Sequence, residues 1–172
     1  IASDGNFTPQ EVVVKANELG FSAIAITDHD TIQGIKPALQ AANNLDLEVV
    51  PGIELNTDYL NSEVHVLGYY IDYQNEKLVN KMKELKKARY DRAEKIVDKL
   101  NQLGVEIKYS EVLDLADGAT VGRSHIAQIL LEKDYVEEWS DAFDQYLGCR
   151  APAYVGRERL DVKGAINLIK EA

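Results

Sequence analysis

The sequence contains a single cysteine, Cys149, and no apolar run near the length of a membrane span. A single cysteine excludes disulfide bonds within the chain and favours a reducing compartment. No run approaches the ~20 apolar residues that a transmembrane helix needs, and the sequence shows no pattern of a secretory signal. We therefore expect a cytoplasmic protein that does not enter a membrane.

Positive charge is also scarce. The chain has 19 Lys and Arg against 29 Asp and Glu, which gives a formal net charge of −10 at pH 7. This balance excludes an extended nucleic-acid-binding surface, because such a surface needs many cations to neutralise phosphates. It leaves room for one local basic pocket. Clustered carboxylates are tolerable where metal cations neutralise them.

Several catalytic signatures are missing. The sequence has no glycine-rich phosphate loop, no motif for a nucleophilic serine or cysteine, and no nicotinamide fingerprint. Its 172 residues are 45% hydrophobic and 28% charged, as in ordinary globular proteins. That length suits one domain, or one domain with an insertion. The pattern does not specify an oligomeric state.

Residues 23–31, AIAITDHDT, are the most informative stretch. An apolar run that stops abruptly at polar residues predicts a buried strand. Asp28, His29 and Asp30 then follow at its carboxyl end, where α/β folds build their sites. One interpretation is that an aspartate caps the next helix and His29 has no role. The other is that the cluster supplies metal ligands or a base.

The neighbouring pattern alternates between helix and strand. Thr8, Pro9 and Glu11 form a predicted helix start with a capping box. The elements that follow are a strand at 21–26, a helix at 35–45, a short strand at 49–50 that ends at Pro51, and a strand at 63–71. This close alternation favours an α/β parallel sheet or barrel.

Ligand-type residues occur at four successive points of this pattern. They are Asp4 in the first loop, His29 with its flanking aspartates after one strand, Glu54 after the next strand, and His65 within the strand after that. In a parallel barrel the loops after successive strands converge on one face, so these side chains can meet. Imidazole and carboxylate ligands suit Zn, Mn or Fe. A glutamate among histidines can bridge two metals that clamp a phosphoryl oxygen and activate a water. Metal-dependent hydrolysis is thus one hypothesis.

Residues 75–103 form one long helical pattern with an apolar stripe at steps of three or four. Arg89 and Arg92 occupy positions in that stripe where apolar side chains are expected. In one interpretation Ala88 and Ala93 face the core and the arginines extend to solvent. In the other, both guanidinium groups point into a cleft and hold an anion.

A second candidate anion site begins at Gly122. Arg123 and His125 stand at the predicted start of a helix at 126–132, where free N–H groups and the helix dipole attract anions. The alternative is that Ser124 caps the helix and His125 is exposed. The remaining predictions are a helix at 136–147 whose Trp139, Phe143 and Leu147 are core, a returning strand or extended segment at 151–155, and a helix at 161–172.

Six stretches together resemble motifs of the PHP (polymerase and histidinol phosphatase) superfamily, in the same order. They are residues 3–5 (SDG), 25–31 (AITDHDT), 51–54 (PGIE), 65–69 (HVLGY), 122–127 (GRSHIA) and 151–155 (APAYV). With the arginines of the long helix, the set is similar to small bacterial PHP phosphoesterases in which a helical domain interrupts the barrel.

The resemblance implies a fold and an activity. The implied fold is α/β, part of a distorted (β/α)7 barrel, with residues 1–74 and 151–172 in the barrel and 75–150 as an inserted helical domain. The implied activity is metal-dependent hydrolysis of phosphomonoesters, such as nucleoside 3′,5′-bisphosphates, or of short oligonucleotides. Two or three divalent ions (Mn, Zn or Fe) form the implied complete site. The alternatives are a non-catalytic PHP module, like those attached to DNA polymerases, and a histidinol-phosphate phosphatase.

The resemblance also implies residue roles. Asp4 and His29 would belong to one metal position, Glu54 would bridge two, and His65 would complete another. Asp28 would orient the ligand side chains without binding the metal itself. The implied catalytic group is therefore Glu54, His29 and Asp28. Asp30 is expected to form a turn or to start the next helix. The implied phosphate ligands are Arg89, Arg92, Arg123 and His125.

Family motifs with further ligands would lie outside this sequence. A His-x-His motif is expected just before Ile1, and a histidine in an Ala-His-Pro context and an Asp-x-His pair are expected after Ala172. We therefore expect the sequence to be a fragment of a longer protein, with only part of the metal site within it.

Overall fold

The computed structural model describes residues 5–60, 62–116, 121–157 and 159–172. The chain divides into two compact units, Ile1–Leu85 with Arg159–Ala172 and Lys86–Glu158. Among the described residues, no helix combines the length and the apolar character needed to span a bilayer.

The first unit is a small sheet with helices. Its described elements are α1 (Pro9–Glu18), β1 (Ala23–Ile26), α2 (Ile35–Ala42), β2 (Glu48–Tyr59), β3 (Ser62–Tyr69), the start of α3 (Glu76–Gln102), β4 (Leu160–Asp161) and α7 (Val162–Glu171). The strand order is β1-β2-β3, and β4 also pairs with β2. β1 and β4 run parallel to β2, whereas β3 runs antiparallel to it.

The predicted start of α1 is confirmed. The Oγ1 atom of Thr8 accepts from the N–H of Glu11 at 3.2 Å, and the N–H of Thr8 donates to the Glu11 carboxylate at 2.7 Å. Pro9 occupies the first turn, where its missing N–H is harmless.

β2 is much longer than predicted, so the prediction that it ends at Pro51 is wrong. Its first part pairs with β1 up to Pro51, and its second part pairs with β3 from Gly52 onwards. Pro51 lies where one partner gives way to the other, a place in a sheet that tolerates a residue without N–H. Its carbonyl accepts from the N–H of Ile71 at 3.2 Å.

Side chains alternate strictly along the second part of β2. Ile53, Leu55 and Thr57 are fully buried in the core. Glu54 and Asn56 lie on the opposite face of the strand, as a period of two requires. The second part of β2 therefore has one face that is buried in the core and one polar face.

The second unit is helical. It contains the remainder of α3, then α4 (Tyr109–Ala116), α5 (Arg123–Glu132), α6 (Trp139–Ala142) and a π-helix (Phe143–Leu147). Its core includes Ile96, Leu100, Ile126, Leu130 and Leu147. The boundary between the units falls within α3, and Leu78, Met82 and Leu85 belong to the first core. Residues 75–150 remain our proposed extent of the inserted domain.

Two local predictions in the second unit are wrong. Residues 151–155 form a turn and an irregular segment rather than a strand. Their carbonyls at Tyr154 and Val155 accept from the side chains of Lys99 and Arg92 instead of from a sheet. The helix predicted at 136–147 begins only at Trp139 and changes to π geometry at Phe143, which breaks the period of four. Trp139 is accordingly 47% exposed and not core.

We predict that Gly52→Ala destabilises the protein by about 1–3 kcal/mol, because a Cβ there would lie 2.8 Å from both the Gly68 carbonyl oxygen and Thr27 Cγ2. The free energy of unfolding in urea measures this effect. Gly156→Ala is the matched control, since its Cβ would meet no atom within 4 Å. Equal stability of the two variants would contradict the predicted crowding.

Candidate metal centre

The backbone of Glu54 fixes the position of His29. The N–H of Glu54 donates to the Asp28 carbonyl at 3.2 Å, and the Glu54 carbonyl accepts from the N–H of Asp30 at 2.9 Å. His29 and Glu54 form an isolated parallel bridge beyond the end of β1. The turn after β1 is thus attached to β2, and the two side chains lie next to each other.

The register between β2 and β3 places His65 close to Glu54. His65 pairs with Asn56, and Leu67 pairs with Glu54. Directly opposed residues in an antiparallel pair share a face, so His65 lies on the same polar face as Glu54 and Asn56. His65 therefore lies within a strand, as predicted, but that strand pairs antiparallel to β2 and not parallel to it, as the barrel pattern suggested.

The Glu54 carboxylate lies between the two histidines. His65 Nδ1 is 2.6 Å from Oε1, and His29 Nε2 is 3.6 Å from Oε2. The two rings meet edge to face, with centroids 5.0 Å apart. One ligand atom from each of the three residues lies within 4.8 Å of the others. The structure thus brings together His29, Glu54 and His65, whereas Asp4 lies outside the described residues.

The donor set fits a divalent transition metal. Two imidazole nitrogens and one carboxylate are ligands that Zn, Mn and Fe accept, at 2.0–2.2 Å in the case of zinc. Such bond lengths place neighbouring ligand atoms roughly 3–4 Å apart, and the spacing within this cluster allows that after small side-chain movements. Each oxygen of Glu54 faces a different histidine, which is the arrangement that a bridging carboxylate needs.

Both aspartates beside His29 are buried. Asp30, at 8% exposure, accepts from the Asn56 backbone at 3.0 Å and from the Asn56 side chain at 2.8 Å. It also forms the predicted turn, with a positive φ of 51°. Asp28 is 5% exposed, and the role proposed for it, orienting the ligands, stays a prediction.

Sequence reasoning missed Asn56. Its side-chain nitrogen lies 3.3 Å from His29 Nδ1 as well as donating to Asp30, so it contacts both parts of the turn. The signal was its position two residues after Glu54, which places both on one face of a strand. The premature end predicted for β2 concealed that relation.

A cluster of arginines lies in the second unit. Arg89, Arg92 and Arg123 line one pocket together with apolar residues of α3 and α5. Arg92 Nε donates to the Val155 carbonyl at 2.8 Å, and Arg123 Nη1 donates to the Leu147 carbonyl at 3.0 Å. Both guanidinium groups lie 6.0 Å from the ring centre of Tyr154. Ala93 packs in the core, as one interpretation expected, yet the arginines line a pocket as the other expected.

Electrostatics in this pocket favour an anion. Burial, and next the charge of Arg123, lower the pKa of Arg92 to about 10. Arg157 and Arg89 add to this effect, while Tyr154 opposes it. Burial and the neighbouring positive charges therefore destabilise the charged form of Arg92, and a bound anion would stabilise it. Arg157 is a cation that sequence reasoning did not identify.

His125 helps to cap α5. Gly122 is the N-cap, and its N–H donates to His125 Nδ1 at 3.1 Å. The alternative in which Ser124 caps this helix is therefore wrong. Because Nδ1 accepts the hydrogen bond from the Gly122 N–H, Nε2 carries the hydrogen in the neutral ring and can donate to an anion. The binding of phosphate by His125 stays a prediction.

Residues 1–156 match the PHP domain family. This chain belongs to the PHP family. A relative from Haemophilus influenzae, named 5′-3′ exoribonuclease, is 36% identical over 171 residues, which are 99% of this chain and 62% of that protein. The 3′,5′-nucleoside bisphosphate phosphatase of Chromobacterium violaceum is 27% identical over 175 residues, covering 97% of this chain and 59% of that protein.

Solved PHP-like structures agree with this fold. An amidohydrolase from Chromobacterium violaceum, with bound sulfate and no metal, superposes with a TM-score of 0.81 at 27% identity. A candidate metal-dependent phosphoesterase from Bifidobacterium adolescentis gives a TM-score of 0.81 at 30% identity. Each match covers 99% of this chain and 60% of the other.

These comparisons support a mixed α/β PHP fold, and the seven-stranded barrel stays a prediction. The PHP chain spans about 60% of the length of the relatives and structures just described. Those relatives are named as hydrolases of RNA or of nucleotides.

We predict that Asn56→Ala destabilises the protein by about 1–3 kcal/mol, because the buried Asp30 carboxylate loses a side-chain donor. Chemical denaturation measures the difference. Asn167→Ala, at an exposed position of α7, is the control and should leave stability unchanged or slightly raised. A loss in the control as large as that in Asn56→Ala would refute the assignment.

Proposed function

We propose that the protein to which this chain belongs is a metal-dependent phosphoesterase. Its proposed substrates are phosphomonoesters of nucleotides, such as nucleoside 3′,5′-bisphosphates, or short oligonucleotides. One observation carries the proposal: the Glu54 carboxylate lies between His29 and His65, with ligand atoms of all three within 4.8 Å of one another. The hydrolase names of the PHP relatives support it.

His29, Glu54 and His65 would hold the metal ions, which we propose to be two or three ions of Mn, Zn or Fe in a complete site. Asp4 is proposed as a further ligand. When bound, such an ion polarises a phosphoryl oxygen and lowers the pKa of a water that can attack phosphorus. Support for these roles comes from the chemistry of the donor set and from the position of Glu54 between two imidazoles.

The protein's own residues then orient and neutralise. Asp28 is proposed to orient the ligands from its buried position beside His29. Arg89, Arg92, Arg123 and His125 are proposed to bind a phosphate group of the substrate. The lowered pKa of Arg92, caused first by burial and then by Arg123, supports that role, because a phosphate would offset both effects.

A phosphatase assay on the full-length protein tests this function. The protein is incubated with Mn²⁺ and, separately, with a nucleoside 3′,5′-bisphosphate, a short 5′-phosphorylated RNA and histidinol phosphate. We expect phosphate or nucleotide release from the first two and little from the third. Turnover of histidinol phosphate alone would favour the alternative phosphatase, and no release from any phosphoester with Mn²⁺, Zn²⁺ or Fe²⁺ would favour a non-catalytic module.

We predict that Glu54→Gln lowers kcat by more than about 100-fold, because replacing even the outer partners of a metal site costs 10–100-fold. The neutral amide removes the charge that holds the ions. Kinetics and metal content by mass spectrometry measure the effect. Glu18→Gln, at an exposed end of α1, is the matched control and should behave as wild type. Wild-type rate and metal content in Glu54→Gln would refute the role.

We predict that Arg123→Gln raises KM for nucleotide substrates by about 10-fold or more, since a charge-assisted hydrogen bond contributes about 1.5–3 kcal/mol. The value of kcat should change much less. Arg150→Gln removes an exposed arginine of the same unit and serves as the control. An unchanged KM in Arg123→Gln would return this arginine to a structural role.

A further inference from the structure

A row of charged side chains continues from His65 along the polar face of the sheet. Glu63 Oε1 lies 3.4 Å from His65 Nε2, and Glu63 Oε2 lies 3.2 Å from Arg159 Nη2. Arg159 Nη1 also forms an ion pair with Asp58. Through these contacts the row connects the candidate metal ligand to the start of β4.

Arg159 offsets the repulsion between two carboxylates in this row, Asp58 and Glu63. Asp58 and Glu63 are directly opposite each other across β2 and β3, and like charges in that position repel. The Arg159 side chain is only 19% exposed and contacts both carboxylates. Burial lowers its pKa, but the two carboxylates outweigh burial and raise the pKa overall. Arg159 is thereby fixed in its charged form between them.

The backbone holds Arg159 in place for this task. The next residue, Leu160, begins β4 and pairs with Thr57 of β2. The position of the guanidinium group is therefore tied to the strand that carries Glu54. A side chain that is anchored in this way can fix the carboxylate of Glu63 more firmly than solvent would.

The two nitrogens of His65 face different carboxylates. Nδ1 lies 2.6 Å from Glu54, within the cluster of candidate ligands, and Nε2 lies 3.4 Å from Glu63, outside it. In metal sites, a histidine ligand almost always donates its second N–H to a carboxylate or carbonyl, which fixes its tautomer and ring orientation. Glu63 occupies the position of that partner.

We propose that Glu63 is a positioning residue that accepts the Nε2–H of His65 and so directs Nδ1 towards Glu54 and the metal. Arg159, held by Asp58 on its other side, fixes the Glu63 carboxylate. This inference rests on the proposed metal centre. It adds two charged residues, Glu63 and Arg159, that the sequence motifs did not mark.

Glu63 acts on the site more than on the fold. Its side chain is 46% exposed, so its ion pair with Arg159 contributes little to global stability. Its loss should instead free the His65 ring to turn and to adopt either tautomer. We expect weaker metal binding without a large change in thermal unfolding.

The test measures metal affinity in the full-length protein. Calorimetric titration with Zn²⁺ should give a Kd that is about 10–100-fold higher in Glu63→Ala than in wild type. Glu63→Gln, which keeps an uncharged acceptor, should fall between them. Glu171→Ala is the matched control, because Glu171 is also an exposed carboxylate in an ion pair, with Lys77 at 2.8 Å. The melting temperature of each variant should stay within about 4 °C of wild type.

A second readout concerns the ring itself. In Zn²⁺-loaded protein, where the metal rather than a proton would occupy Nδ1, ¹⁵N NMR should show the Nε2–H tautomer of His65 in wild type and a mixture of tautomers in Glu63→Ala. Arg159→Gln should shift the tautomer ratio in the same direction but by less. If Arg159→Gln does not fold, the Glu63 variants decide the matter.

The outcomes separate this inference from the proposed function. If wild type binds Zn²⁺ and Glu63→Ala binds it equally tightly with an unchanged tautomer, Glu63 has no positioning role. If wild type binds no Zn²⁺, the proposed metal centre fails. Glu63 then has no metal ligand to position, and this inference fails together with the metal centre.

Discussion

The candidate site depends on one backbone interaction, the pairing of Glu54 with both neighbours of His29. The N–H of Glu54 donates to the Asp28 carbonyl, and the Glu54 carbonyl accepts from the N–H of Asp30. These two hydrogen bonds prevent the turn after β1 from shifting along β2. A shift of one residue would turn Glu54 to the apolar face of the strand. The same strand sets the position of His65 through its antiparallel register with β3. Side chains on such paired strands are placed more accurately than side chains on loops.

Much of this cluster could be predicted from the sequence, because polar ligands that end apolar runs are a local signal. Residues 23–31 and Glu54 were recognisable in this way, whereas His65 was recognised as a ligand-type residue within a predicted strand. The route by which His65 arrives was not predictable, since strand direction depends on long-range pairing. Glu63 and Arg159 were missed for the same reason: about a hundred residues separate them, and only the register of three strands brings them together.

The helical unit shows a different limit of sequence reasoning. The arginines in the stripe of α3 broke a regular period, and that irregularity marked them locally. Whether they extended to solvent or lined a pocket depended on Tyr154 and Val155, some sixty residues later along the chain. The segment at 151–155 was predicted as a possible strand because its composition suits one. The carbonyls of Tyr154 and Val155 instead accept hydrogen bonds from the side chains of Lys99 and Arg92. Nothing in the sequence of the segment itself indicates these distant donors.

The polar face of the sheet offers an electrostatic reason for the proposed metal dependence. Glu54, Asp58 and Glu63 concentrate negative charge on one face of a protein whose net charge is already −10. Such a face alone repels phosphate. Arg159 contacts the outer two carboxylates and offsets one of their two charges, whereas the charge of Glu54 is directed at the histidines. A divalent cation at that point reverses the local sign and makes phosphate attractive. The proposed metal dependence is thus supported by the electrostatics of the face as well as by the chemistry of its ligands.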